Sequence, residues 1–292
     1  MSAPQVMIVT GATNGIGEAA AIELARRGNH VGIVARNPAK ADATVARIHE
    51  AAPGAPVNVF IGDLSLMHDV RKVAGEMLDR FERIDVLVNN AGIQLAEQRA
   101  TSEGLPEMVA VNYLAPWLLT SLLHDRLVAS APARVVVTAS EAHRMGWSVD
   151  PDTILTDLSP FGRTGPLPAY GKSKLLDVLF TLELARRLDG TGVTANCCCP
   201  GLVATGLAGT DNRADRLATA LSRTPLVRRP DQGARVLVRL ATDPAFGART
   251  GAFISSTPLA GLVPTIPAVR DEDLRRRLWE ATQSLLEGSA FR

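Results

Sequence analysis

The chain has 292 residues, 46% of them hydrophobic, and a formal net charge of +1 at pH 7. That is enough apolar material for a sizeable core, and the charge balance gives no reason to invoke nucleic acid or an anionic membrane surface. No run of about 18 apolar residues occurs, so no membrane span is expected. The first strand begins by residue 5, so no signal peptide is expected.

Residues 5–10 are apolar and β-branched and read as a buried strand. Gly11-Ala12-Thr13-Asn14-Gly15-Ile16-Gly17 follows at once, and residues 18–27 run helical, with Ala19, Ile22 and Leu24 apolar. Strand, glycine turn and helix together are the context of a phosphate-binding turn. Glycines let the backbone approach a pyrophosphate, and the helix N-terminus offers N–H donors and the positive end of its dipole. The spacing is Gly-x-x-x-Gly-x-Gly, not the Gly-x-Gly-x-x-Gly of the common dinucleotide fingerprint. Residues 30–35 form a second strand. An NAD-specific fold usually carries Asp or Glu at its end for the ribose 2′-hydroxyl. Here Ala35-Arg36 stands there, followed by Lys40, and a guanidinium suits a 2′-phosphate. NADP(H) is therefore expected in preference to NAD(H).

Further along, strands are expected at 57–62, 85–89, 134–138, 193–199 and 252–254. Helices are expected at 66–81, about 106–127, about 170–188 and 230–241. This alternation implies a doubly wound α/β fold, a mostly parallel seven-stranded sheet with helices on both faces. No linker or internal repeat interrupts it, so residues 1–292 read as one domain. Segments at about 144–168 and 206–229, rich in Gly, Pro, Thr and Arg, are expected to loop over the site as lids. The tail at about 258–292 is expected to cover the pocket or join a subunit contact. Cys197, Cys198 and Cys199 are the only cysteines. Adjacent strand residues point to alternate faces and cannot form one zinc cage, so they read as core, no metal is expected, and the compartment is read as the cytoplasm.

Ligands of such sheets bind beyond the C-terminal strand ends. Polar residues and glycines gather there: Gly11 to Gly17, Arg36, Asp63, Asn90 to Gly92, Ser140, and Pro200-Gly201. Tyr170-Gly171-Lys172-Ser173-Lys174 adds a tyrosine and a lysine four apart, on one helix face. An ammonium beside a phenol favours the phenolate, so the Tyr170 pKa is expected to lie below its ordinary value near 10. No Gly-x-Ser-x-Gly elbow surrounds Ser140, so a Ser–His hydrolase built with His143 is not expected. His143 reads as a loop residue near the substrate mouth.

The chain resembles the short-chain dehydrogenase/reductase family of Rossmann-fold, NAD(P)-dependent oxidoreductases over about residues 5 to 255. The motifs match in order: the glycine turn at Thr10 to Gly17, the adenine contact at Asp63-Leu64, and Asn-Asn-Ala-Gly at Asn89 to Gly92. They continue with an asparagine at Asn112, a serine at Ser140, the Tyr170 and Lys174 pair, and Pro-Gly-x-x-x-Thr from Pro200 to Thr205. Ala139 departs from the second serine that many members carry. The long gap from Ser140 to Tyr170, the Ser140-Glu141-Ala142-His143-Arg144 start and Arg277-Leu278-Trp279-Glu280 resemble the retinol dehydrogenase-like branch.

The resemblance implies catalysis by Asn112, Ser140, Tyr170 and Lys174. Tyr170 exchanges the proton, Ser140 holds the reacting oxygen, Lys174 holds the nicotinamide ribose, and Asn112 positions a water. It implies cofactor contacts from Gly11, Thr13, Asn14, Gly15, Ile16, Gly17, Arg36, Asp63, Leu64, Asn90, Ala91, Gly92, Tyr170, Lys174, Pro200, Gly201, Val203 and Thr205. The substrate expected is a small hydrophobic ketone, aldehyde or alcohol of polyketide, retinoid or steroid type, in a pocket offered by Trp147, Leu155, Phe161, Leu167, Leu207 and Leu217. Homo-oligomers, dimer or tetramer, are usual in the family through the helices near Asn112 and Tyr170, with monomers among long-tailed members. A non-catalytic NADP-binding scaffold and a nucleotide-sugar epimerase or dehydratase are the alternatives.

Overall fold

The computed structural model describes residues 4–203, 228–258 and 260–288. The strands are β1 (Val6–Thr10), β2 (His30–Ala35), β3 (Val57–Ile61), β4 (Val86–Asn89), β5 (Ala133–Thr138), β6 (Val193–Cys199) and β7 (Phe253–Ser255). They pair in the order β3-β2-β1-β4-β5-β6-β7, and every pairing is parallel. The order reverses between β1 and β4, which is where a doubly wound sheet opens its crevice.

Both faces of the sheet are buried, which is why its central strands carry apolar residues at consecutive rather than alternate positions. Along β1, Val6 and Ile8 join one core while Met7 and Val9 join the other. The same division separates Leu87 from Val86 and Val88 on β4. One helical layer holds α1 (Gly15–Arg26) and α2 (Pro38–Ala51). The opposite layer holds α3 (Met67–Arg80). The segment expected as one helix over 106–127 is broken into α4 (Glu107–Val109), a π turn (Ala110–Leu114), α5 (Ala115–Leu122) and α6 (His124–Ala129). Pro116 explains the break. It has no N–H to give the carbonyl of Asn112 four residues back, and its ring would meet that carbonyl, so the helix widens there.

Next come α7 (Leu167–Arg187), α8 (Pro230–Thr242), α9 (Pro267–Arg270) and α10 (Glu272–Glu287). Helix α8 packs on α1, and α10 packs on α7. The tail is thus largely a helix on the second layer, and α10 lines no part of the cavity described below. Trp279 of α10 stacks on Phe180 at 6.0 Å between ring centroids, meets Trp117 at 5.1 Å and lies under the Arg187 guanidinium at 4.5 Å. The Tyr113 hydroxyl hydrogen-bonds that of Thr282 at 2.7 Å. The face of α5 and α7 is therefore covered by the chain's own C-terminal helix. Among the described residues no helix is long and apolar enough to cross a membrane, and no cluster of acidic, His or Cys side chains could hold a metal ion. Cys197, Cys198 and Cys199 are all buried and free.

Candidate active site

The turn after β1 shows why its sequence is rich in glycine. Gly11 has φ 64° and Gly15 has φ 57°, the left-handed region that glycine adopts at little cost. A Cβ on Gly17 would stand 2.3 Å from the Gly11 carbonyl oxygen and 2.4 Å from the Asn90 amide nitrogen. The Thr10 hydroxyl oxygen accepts the N–H of Asn90 at 2.9 Å and of Ala91 at 3.0 Å, and the Asn90 amide donates to the Thr10 carbonyl at 3.1 Å. The ends of β1 and β4 are so latched together. Asn14, the residue before α1, makes no side-chain cap. The first N–H groups of that helix are left for a ligand.

A cavity of about 630 Å³ runs along the strand ends from this turn to α7. Its wall includes Gly11, Thr13, Asn14, Gly15, Ile16, Gly17, Arg36, Asp63, Leu64, Asn90, Ala91, Gly92, Ser140, Tyr170, Lys174, Pro200, Gly201 and Val203. Thr205 lies outside the described residues. Arg36 is 73% exposed at the far end and faces Asp63 at 3.6 Å. A carboxylate does therefore stand near the second strand's end, supplied by the loop after β3. The close-approach glycines, the open helix end and the adjacent cation fit a dinucleotide phosphate chain.

At the other end, Ser140 caps a two-turn 3₁₀ helix (Glu141–Gly146), its hydroxyl oxygen accepting the N–H of Ala142 at 3.1 Å. This turn packs directly on α7. A Cβ on Gly171 would stand 2.7 Å from the Ala142 carbonyl oxygen, so the glycine after Tyr170 is what lets the Ser140 turn lie against α7. His143 is buried beneath the turn, not at the substrate mouth as expected. Its Nδ1 bonds the Ser140 carbonyl at 2.7 Å, its ring meets Phe253 edge-on, and burial pushes its pKa down, so it is a neutral support.

The Lys174 ammonium lies 6.0 Å from the Tyr170 ring centroid. The expected fall of the Tyr170 pKa is corrected: it is raised. Burial disfavours the phenolate more than Lys174 and Ser140 favour it, and the buried Asp177 carboxylate adds to the rise. Lys174 donates to the Thr138 carbonyl at 2.9 Å and to Asp177 at 2.8 Å. Burial alone would lower its pKa, but Asp177 and Tyr170 outweigh that and raise it.

Asn112 sits in the π turn beside this cluster but does not line the cavity. Its amide donates to the Ile93 carbonyl at 3.0 Å and to the Ser173 hydroxyl at 2.9 Å, and its oxygen accepts the Ile93 N–H at 2.8 Å. The carboxamide thus clamps the loop after β4 to α7.

Of the residues expected to offer an apolar pocket, Leu167 lines the cavity. Leu155 is core. Trp147 stands 76% exposed, at φ 44° in a tight three-residue turn closed by the Ser148 N–H on the Gly146 carbonyl, and Phe161 is half-buried away from the cavity wall. Leu207 and Leu217, with nearly all of the 206–229 segment, lie outside the described residues. Ile93, Val111 and Leu202 add apolar wall that the sequence did not single out.

Residues 5–151 match the family model for short chain dehydrogenase. Human retinol dehydrogenase 13 is 35% identical over 97% of this chain and 84% of its own length, and human retinol dehydrogenase 12 is 34% identical over 97% and 86%. The crystal structure of a putative NAD(P) dependent gluconate 5-dehydrogenase from Beutenbergia cavernae with bound NADP superposes with a TM-score of 0.69 at 29% identity, covering 89% of this chain and 98% of that one. The strand-end cavity, the serine–tyrosine–lysine cluster and these likenesses agree: the chain belongs to the short chain dehydrogenase family and is an oxidoreductase that uses a nicotinamide cofactor.

Proposed function

We propose that this protein is an NADPH-dependent reductase of hydrophobic ketones or aldehydes, running in reverse as an alcohol dehydrogenase. The observation that carries the reading is the convergence of Ser140, Tyr170 and Lys174 on one end of a cavity whose other end is a glycine turn with Arg36 beside it. The bound nicotinamide would supply or accept the hydride.

Tyr170 gives its hydroxyl proton to the carbonyl oxygen as that oxygen becomes an alkoxide. Its raised pKa suits this role, because the phenol stays protonated at neutral pH. Ser140 donates a hydrogen bond to the same oxygen and stabilises its developing charge. Lys174 has one N–H left for the ribose hydroxyls after Thr138 and Asp177 take two. Asn112 fixes the loop that carries Ile93 along the cavity wall. Gly11 to Gly17 cradle the phosphates, Arg36 meets the 2′-phosphate, and Asp63-Leu64 flank the adenine. Pro200, Gly201 and Val203 would close over the nicotinamide side.

The apolar lining at Ile93, Val111, Leu167 and Leu202 supports a hydrophobic substrate, and the likeness to retinol dehydrogenases supports a retinoid-like or similar polyene, steroid or polyketide carbonyl. Three unpaired cysteines support a reducing compartment, in keeping with the cytoplasm. With α10 over α5 and α7, a homo-oligomer built on those helices would first have to displace the tail, which supports a monomer.

Screening NADPH oxidation against apolar ketones and aldehydes tests the reading. Tyr170→Phe should lower turnover by about a hundredfold or more, since a positioned acid contributes roughly 10²–10⁴, while NADPH still binds. Unchanged turnover in that variant removes Tyr170 from the chemistry.

A further inference from the structure

Behind the catalytic end of the cavity, out of its wall, lies a charge that the proposed reaction does not use. Asp177 lies one turn below Lys174 on α7 and is fully buried. One carboxylate oxygen bonds the ammonium at 2.8 Å, and the other, Oδ1, is buried without any partner. A lysine and an aspartate three apart on an exposed helix face are an ordinary surface pair. The same pair buried to 4% and 1% exposure, with an orphan oxygen, is costly to desolvate. A valine or leucine there would pack at no such cost.

The other titratable groups around this pair are few. Tyr170 shares its helix, Tyr113 faces it from the π turn, Cys197 and Cys199 face it from β6, and Cys198 lies on the other face of that strand. Burial drives Tyr113 and Cys198 far up and Cys197 to about 12, so these stay neutral near pH 7. Among the described residues Asp177 is the one carboxylate that opposes the Lys174 charge.

Building on the roles just assigned to Tyr170 and Lys174, we propose that Asp177 is a positioning residue. It anchors the ammonium and cancels part of its charge, which keeps Tyr170 in the phenol form that carbonyl reduction needs. Asp177 transfers no proton itself. The phenol proton passes to the substrate oxygen and is restored from solvent. Without the carboxylate, the full lysine charge would fall on Tyr170, and the phenolate, the base of alcohol oxidation, would form more readily. The burial of Asp177 thus biases the site toward reduction. Burial raises the pKa of Asp177 itself to about 6, and Lys174 limits that rise, so the bias is present at neutral pH and fades in acid.

The chain's tyrosine content makes this measurable without cofactor or substrate. It has two tyrosines, and Tyr113 ionises far above the ordinary range. The first tyrosinate to appear in an ultraviolet pH titration of the full-length, cofactor-free protein is therefore Tyr170, with Tyr170→Phe as the control. The wild-type midpoint is expected above the ordinary 10.0. Asp177→Asn, close to isosteric, should lower it by about one pH unit or more, the size of shift that a nearby charge produces. Asp177→Glu should keep it high. The acid limb of the alcohol-oxidation profile should move by the same amount in the same direction. An Asn variant whose midpoint is unchanged or higher overturns the proposal, and so does a wild-type midpoint at or below 10.0. Should the Asn variant not fold, Asp177→Ser must give the same downward shift, and the wild-type midpoint decides in any case. A Tyr170→Phe enzyme that still turns over would sink the catalytic roles, whereas the titration judges Asp177 alone.

Discussion

The two ends of the cavity are built on opposite principles. At the nucleotide end the protein works by shape. Gly11, Gly15 and Gly17 bring backbone against backbone, Thr10 and Asn90 latch two strands, and the ion pair of Arg36 with Asp63 is loose, its guanidinium mostly in solvent. At the catalytic end it works by buried charge. Lys174 and Asp177 are paired out of water, and Tyr170 answers to both. Phosphates bring their own charge and need only N–H groups and room, which a helix end supplies. A phenol that must hold a proton and then release it needs a field fixed in advance, and low dielectric makes each fixed charge count for more. Changes at the first end should therefore act through fit, and changes at the second through the pH profile.

The largest expected effect that would break this contrast is at Gly17. Gly17→Val puts carbon where the Gly11 carbonyl and the Asn90 amide already stand. Overpacking of this kind costs about 3 kcal/mol, or about a hundredfold in cofactor affinity if the turn takes the strain. Fluorescence titration with NADPH checks this, with circular dichroism to confirm the fold. Wild-type affinity would show that the close approach is not what shapes the site. A smaller effect is expected at Arg36. Arg36→Ala should weaken NADPH by about tenfold, in line with the lower range for a hydrogen bond to a charged group, and leave NADH unchanged. Equal loss for both cofactors would show that Arg36 does not read the 2′-phosphate.

The shape end was far more legible in the sequence than the charge end. Glycine spacing after an apolar strand states its purpose, and Arg36, Asp63, Asn90 and Pro200 fall at strand ends whatever the details of packing. The seven strands were found for the same reason, since buried parallel strands are short apolar runs. Helix α2 went unread because only Ala41, Thr44 and Ile48 of it are buried, although Asn37, whose side chain accepts the Lys40 N–H, with Pro38 behind it, is a start signal. The sequence of the C-terminal helix reads as a tail, its apolar stripe hidden among Arg, Asp and Glu. The π turn at Asn112 was marked by Pro116 four residues on, a signal missed because proline at a helix start is unremarkable. The catalytic field was not legible at all. Spacing places Lys174 near Tyr170 but does not say that Asp177 is buried, nor that burial outweighs the lysine. Even Gly171 gives no sign that it makes room for the Ser140 turn, because that contact spans two elements far apart in sequence.

The smallest expected effect sharpens the contrast within a single helix. Glu183 and Asp177 are both buried acids on α7, less than two turns apart. Glu183 lies outside the cavity. Burial would raise its pKa, but hydrogen bonds from Arg186 and Arg187 win and hold it below the ordinary 4.5. A carboxyl whose folded pKa is depressed contributes stability that is complete above its unfolded value and is lost as pH falls through the folded one. Asp177 has the reverse sign. Its folded pKa of about 6 exceeds the ordinary 3.8, so the folded state takes up the proton first. Its contribution therefore grows as pH falls from about 6 toward 3.8 and is absent above that window. Melting temperatures of Glu183→Gln and Asp177→Asn should diverge accordingly. Relative to wild type, the Gln variant should lose least at the acid end, where wild-type Glu183 is itself being protonated. The Asn variant should compare best with wild type above pH 6, where a buried carboxylate is most costly, and worst in the acid window, where wild-type Asp177 gains from its proton. Parallel curves for the two variants would show that the buried acids of α7 do the same job, and the division between a structural and a positioning carboxylate would fall with them.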